Sequence, residues 1–87
     1  MKLEETGLTF EDIKEKVNKY MIETYERMDF LAESAKDQYI YNEKGEKYLD
    51  FYAGIAVNSA GSCNEKVVKA VVDQAQTLMH TFNYPYT

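Results

Sequence analysis

Cysteine occurs once in this 87-residue chain, at Cys63, so no disulfide can form within it. That scarcity points to a reducing, cytoplasmic setting. Histidine also occurs once, at His80, with no second histidine at ligand spacing, which argues against a metal site. Basic residues are dispersed and the net charge is −5, so no cluster exists to neutralise a run of phosphates and no nucleic-acid partner is expected. No run approaches the ~20 apolar residues of a membrane helix, and the acidic, polar opening lacks the apolar stretch of a secretory signal. No membrane partner is expected.

Hydrophobic side chains are not lacking. They make up 45% of the chain and aromatics 14%, which excludes the composition of a disordered segment. The length allows one domain at most, and such a chain buries only about 60–65% of its extended surface. Eight tyrosines and four phenylalanines are a heavy aromatic load. Each buried ring removes about 150–250 Å² from water, so this load either fills a small core or displays an interface.

Periodicity divides the chain. Residues 1–8 read as a leader. Thr9 and Asp12 have capping-box spacing, and Phe10, Ile13, Val17, Tyr20, Met21 and Thr24 recur on one face, predicting a helix over 10–25. Residues 28–34 suit an extended segment. Two β-prone runs, Tyr39–Tyr41 and Lys47–Phe51, flank Asn42-Glu43-Lys44-Gly45. Asparagine at the first turn position and glycine at the fourth predict a type I turn closed by a left-handed glycine, hence a β-hairpin over 38–52. The small residues 53–63 follow, where Gly54 and Gly61 allow close backbone approach. Asn64 is placed to cap a second helix over 65–79, whose apolar stripe runs through Val67, Val68, Val71, Val72, Ala75, Leu78 and Met79. The expected fold class is α+β: an N-terminal helix, a short antiparallel β-meander and a second helix. A meander this small is marginal alone, and both apolar stripes need cover.

The chain resembles the N-terminal segment of a class-III, pyridoxal-phosphate-dependent aminotransferase of the acetylornithine/ornithine type. Thr24-Tyr25-Glu26-Arg27 resembles the family's opening, where a Tyr-x-Arg precedes the first strand. Tyr39 to Phe51 is similar to its hairpin, ending in Tyr48-Leu49-Asp50-Phe51. Ala53-Gly54-Ile55-Ala56-Val57-Asn58-Ser59-Ala60-Gly61 is the closest stretch, and its Gly-Ile-Ala-Val resembles the acetylornithine branch. His80 to Thr87 resembles the region where members carry Ser-Asn-Leu-Tyr-Tyr-Thr. One departure follows Gly61: Ser62-Cys63-Asn64-Glu65 stands where the family carries His-x-His-Pro.

The resemblance implies part of the small domain of a fold-type I enzyme that moves an amino group from an acetylornithine- or ornithine-like donor to a keto acid, in arginine biosynthesis. It implies pyridoxal phosphate as cofactor, and as partners the remainder of the enzyme and a second identical subunit. By resemblance, Tyr25, Gly54 and Ile55 are substrate-adjacent, and Asn83 and Tyr86 approach the active site of the partner subunit. No residue here is expected to be catalytic. Succinylornithine and γ-aminobutyrate stand beside acetylornithine and ornithine as donors. A separate possibility is a stand-alone, non-catalytic remnant that acts as a protein-interaction module.

An imine-forming lysine needs a depressed pKa, usually through burial or a cationic neighbour. The lysines here fall on charged faces and turns, so the cofactor lysine is expected beyond Thr87. Residues 1–87 alone are therefore expected to be inactive. A stable absorbance band from a cofactor imine on this isolated segment would contradict that expectation.

Overall fold

A computed structural model describes residues 2–86. Its centre is a three-stranded antiparallel sheet in the order β1-β2-β3, with β1 at Ser34–Lys36, β2 at Tyr39–Tyr41 and β3 at Lys47–Leu49. Ala35 faces Ile40 and Ile40 faces Tyr48 across the two ladders. Four helical pieces flank it in the chain: α1 (Leu3–Thr6), α2 (Phe10–Tyr20), α3 (Ala53–Ala56) and α4 (Glu65–Thr77). The fold class is α+β, as the alternation of patterns predicts.

The hairpin between β2 and β3 is built around Asn42. Its Oδ1 accepts from the amides of Lys44 at 3.0 Å and Glu46 at 2.9 Å, while its Nδ2 donates to Glu46 Oε2 at 2.6 Å. The Gly45 amide donates to the Asn42 carbonyl at 3.0 Å, with Gly45 at φ 78°. This is the expected turn with a left-handed glycine. Asn42 is one of two buried residues among the described residues, and burial is tolerable because its polar atoms are all engaged.

The other buried residue is Ser62. It pairs with Asp37, just beyond β1, by two backbone hydrogen bonds of 2.8 Å each. A side chain at Gly61 would be crowded and strained there. A Cβ would lie 3.2 Å from the Asp37 Cα, and φ is 82°. Here the close approach expected of the small-residue segment is realised, against the backbone of its own chain.

Four boundaries differ from the sequence reading. Residues 1–8 are not only a leader: α1 forms one turn, stopped by Gly7 at φ 70°, and the Leu3 amide donates to Glu33 Oε1 at 2.8 Å. Helix α2 ends at Tyr20 rather than 25, with Met21 extended. Beyond it Ile22, Thr24 and Tyr25 are β-branched or aromatic, and the Lys14–Asp29 ion pair at 2.9 Å draws the chain back along the helix. Helix α4 stops at Thr77 rather than 79, because the Thr77 hydroxyl bonds back to the Asp73 carbonyl and Gln74 Nε2 donates to the Leu78 carbonyl. The extended segment expected at 28–34 enters a true strand, β1, paired with β2.

No apolar residue is buried among the described residues. The radius of gyration is 16.8 Å, whereas a compact chain of this length has about 12 Å. The α4 stripe stands open, with Val67 at 53% and Val71 at 62% exposure. Both helix starts are nonetheless well capped. Thr9 Oγ1 accepts from the Asp12 amide while the Asp12 carboxylate accepts from the Thr9 amide at 2.8 Å, and Asn64 Oδ1 accepts from Lys66 and Val67. No helix among the described residues is long and apolar enough to cross a membrane.

Two predictions follow from these bonds. Gly61→Ala introduces a side chain into a left-handed backbone against Asp37, at a cost of about 1–2 kcal/mol. Amide exchange at Asp37 and Ser62 is expected to accelerate at least tenfold; unchanged protection would contradict the bridge. The Asp12 carboxyl is held below its ordinary value of 3.8, first by the Thr9 hydroxyl and then by the Thr9 amide. Since the folded value lies below the unfolded one, the cap stabilises fully above pH 3.8 and its contribution is lost as pH falls through the depressed value. Carbon-13 titration should place the Asp12 inflection below 3.8, and Thr9→Val should move it up; an inflection above 3.8 in the parent would count against the cap.

Candidate functional site

The segment between α2 and β1 is extended and irregular, and it leaves an open cleft of about 940 Å³ against α2 and the end of the hairpin. Ile13 of α2 lines one side, Tyr25, Arg27 and Phe30 line the segment's side, and Tyr52 and Ile55 close the end. Lys14 Nζ bonds Asp29 at 2.9 Å, and the Phe30 ring meets the Tyr48 ring edge-on at 4.9 Å, so the segment is tied to both helix and sheet. The Arg27 guanidinium carbon lies 4.9 Å from the centre of the Tyr25 ring, a cation–π contact.

Ile55 reaches this cleft from an unusual backbone. Ala53, Gly54, Ile55 and Ala56 have φ of 50°, 61°, 60° and 62° in succession, so α3 is a left-handed turn. Each L-residue in that conformation costs about 1–2 kcal/mol, and a β-branched residue there is an outlier. Hydrogen bonds at both ends hold it. Asp50 Oδ1 accepts from the amides of Tyr52 at 2.9 Å and Ala53 at 2.8 Å, and the Asn58 amide donates to the Ala53 carbonyl at 2.9 Å. Asp50 is itself fixed by its amide, which donates to the Gln38 carbonyl at 2.8 Å.

Of the residues singled out in the sequence, Tyr25 and Ile55 line the same cleft, and Gly54 sits beside Ile55 in the turn. Asn83 and Tyr86 do not line it. They lie on the exposed tail after α4, where the Phe82 and Tyr84 rings meet edge-on at 5.5 Å. Arg27 and Tyr52 were not among the candidate site residues. The signals present were that Arg27 closes the Tyr-x-Arg stretch and is the single arginine of the chain, and that Tyr52 precedes the small-residue run.

No group of three or more metal-ligating side chains occurs among the described residues. Nor do they fit the anchoring of a carbonyl cofactor. Lys14, the lysine nearest the cleft, has its pKa raised by hydrogen bonds to Glu11 and then Asp29, opposite to the direction an imine-forming amine requires. The other lysines are exposed. What these residues can do is bind and orient.

Comparison with known proteins gives the frame for this cleft. The family described as aminotransferase class-III matches residues 20–86. The acetylornithine aminotransferase of Methanocaldococcus jannaschii is 46% identical over 69 residues, covering 79% of this chain and 17% of that protein. That of Methanosarcina acetivorans is 38% identical over 78 residues, 90% of this chain and 20% of that one. A crystal structure of ornithine aminotransferase from Toxoplasma gondii, described with PLP partially occupying its active site, superimposes with a TM-score of 0.85. It is 26% identical and covers 97% of this chain and 20% of that one. This chain thus spans about a fifth of the length of its relatives. Its α+β unit corresponds to part of a fold-type I aminotransferase. By the match over 20–86 and the identity to curated members, the chain belongs to the class-III aminotransferase family.

Proposed function

We propose that this chain is the part of an aminotransferase that shapes its substrate mouth, in an enzyme moving an amino group from an acetylornithine- or ornithine-like donor to a keto acid with pyridoxal phosphate. The observation that carries this reading is the cleft itself. Tyr25 and Ile55, far apart in sequence, converge on one cavity within a segment that matches the family throughout. The cofactor's chemistry is that of an electron sink for the substrate carbanion, and it belongs to residues other than those described. The residues here orient the donor. Tyr25 and Tyr52 present hydroxyls on amphipathic rings, and Ile55 presents an aliphatic wall.

The acetylornithine branch is supported by the identity of the relatives and by an aliphatic residue at position 55. A donor of that kind belongs to arginine biosynthesis, and the single cysteine suits the cytoplasm. A homodimer is supported by the exposed aromatic tail around Asn83 and Tyr86, which the fold leaves free to meet a second subunit. Gly54, at φ 61°, lets the backbone make the left-handed turn that presents Ile55 beside the substrate.

Ile55→Tyr fills the cleft and adds a hydroxyl. Its kcat/KM for acetylornithine is expected to fall by about tenfold or more relative to ornithine. An unchanged ratio in the otherwise active enzyme would remove Ile55 from the substrate mouth.

A further inference from the structure

We propose that the Lys14–Asp29 ion pair is the gate of the cleft, the bond that holds α2 against the Tyr25–Arg27 segment and whose breaking opens the substrate mouth. The proposal rests on the aminotransferase reading only for what passes through that mouth.

Lys14 Nζ donates to Asp29 Oδ1 at 2.9 Å, and both residues line the cleft. They also line a second cavity, of about 230 Å³, against the hairpin turn at Asn42, Glu43 and Lys44. Phe10, Phe30 and Leu31 are the other residues common to both cavities. The ion pair is thus the polar bond in a partition between the two spaces. Phe30 is anchored to the sheet by its edge-on contact with Tyr48 at 4.9 Å, whereas the Phe10 ring lies 4.7 Å from Lys14 Nζ on the helix side. When the pair breaks, α2 carries Phe10 and Lys14 away while Phe30 stays with the sheet, and the cleft opens into the neighbouring cavity.

Little else holds α2 in place. No described residue of α2 is buried. Among the described residues, the Lys14–Asp29 bond is the one hydrogen bond that joins residues 22–30 to another part of the chain. Gly7, at φ 70°, precedes the helix and the extended Met21 follows it, so both ends have a joint. The bond itself is reversible. The Asp29 side chain is 80% exposed, so water and salt compete for it. Glu11, one turn earlier on α2, lies 2.6 Å from Lys14 Nζ. It gives the partly buried ammonium a partner after Asp29 lets go, so opening strands no cation.

The test uses the full-length holoenzyme and an arginine-specific protease. Arg27 is the single arginine of residues 1–87 and lies on the segment that the pair holds, so a new N-terminus at Met28 reports opening. Each rate is divided by that of a peptide of matching sequence. Lys14→Met and Asp29→Asn are each expected to speed this cleavage by about two- to fivefold, the range of an exposed ion pair. The double variant should be no faster than either alone, because both substitutions remove the same bond. Glu11→Gln should not speed cleavage, and Lys14→Arg should keep the parent rate. Donor KM is expected to rise by a like factor in Lys14→Met and Asp29→Asn, with kcat within about twofold. Raising salt from about 0.05 M to about 0.5 M should speed cleavage of the parent and not of the double variant. Should the variants not fold, the salt dependence of the parent decides. Equal cleavage of parent and Lys14→Met, additive effects of the two substitutions, or faster cleavage with KM unchanged would overturn the proposal. Pair-dependent cleavage in a protein that transfers no amino group would uphold the gate while removing the aminotransferase reading.

Discussion

Two backbone hydrogen bonds between Asp37 and Ser62 tie the small-residue segment, and with it the start of α4, to the sheet. No apolar residue is buried among the described residues, so hydrophobic burial within the chain does not position its elements. For the segment leading into α4 the bridge does so instead. It fixes the end of the small-residue segment against the turn leaving β1, and so sets the starting point of α4 relative to the sheet. Asp50, whose amide is bound by the neighbouring Gln38 carbonyl, fixes the other end of that segment. Between these anchors the backbone can be held in a conformation it would not otherwise choose. Gly61 is the permissive residue: at φ 82° a side chain would be strained, and its Cβ would press on the Asp37 backbone at 3.2 Å.

The left-handed turn is the product of that arrangement, and it is where structure and chemistry join. Strain of this kind persists only where the surroundings over-determine it. The Asp50 carboxylate at the start and the Asn58 amide at the end supply that determination. The result is that Ile55 is presented from a short rigid corner rather than from a mobile loop. It faces Tyr25 and Arg27, which are themselves positioned through Lys14, Asp29 and Phe30. The cleft is assembled from separate polar and aromatic fastenings, each traceable to named residues. The α4 valines, by contrast, remain open in this chain.

What could be read from sequence was what is local. Thr9 and Asp12 announce a capping box by their spacing, Asn42 and Gly45 announce a turn, and Asn64 with the valine stripe announces α4. The family itself was legible because its characteristic stretches occur in order. What escaped was decided at a distance. Strand β1 is three residues whose identity as a strand comes from β2, not from Ser34, Ala35 or Lys36. The end of α2 depends on Asp29, well outside the helix. The handedness of α3 is invisible in Ala-Gly-Ile-Ala, because small residues suit a right-handed turn equally well, and the sign is imposed by the anchors at Asp50 and Ser62. Arg27 stands in the Tyr-x-Arg stretch that resembles the family's opening, but its place in the cleft is a fact of three dimensions.

The left-handed turn also inverts a familiar rule of protein engineering. In an ordinary helix, glycine in place of alanine loosens the chain. At Ala53 and Ala56 the backbone already lies in the region glycine prefers, with φ of 50° and 62°. Under selection for thermal resistance alone, these two positions would drift toward glycine rather than away from it. The alanines that stand there trade conformational ease for a stiffer corner. A laboratory evolution campaign on this protein would therefore read out, through the fate of two methyl groups, how much rigidity the cleft requires.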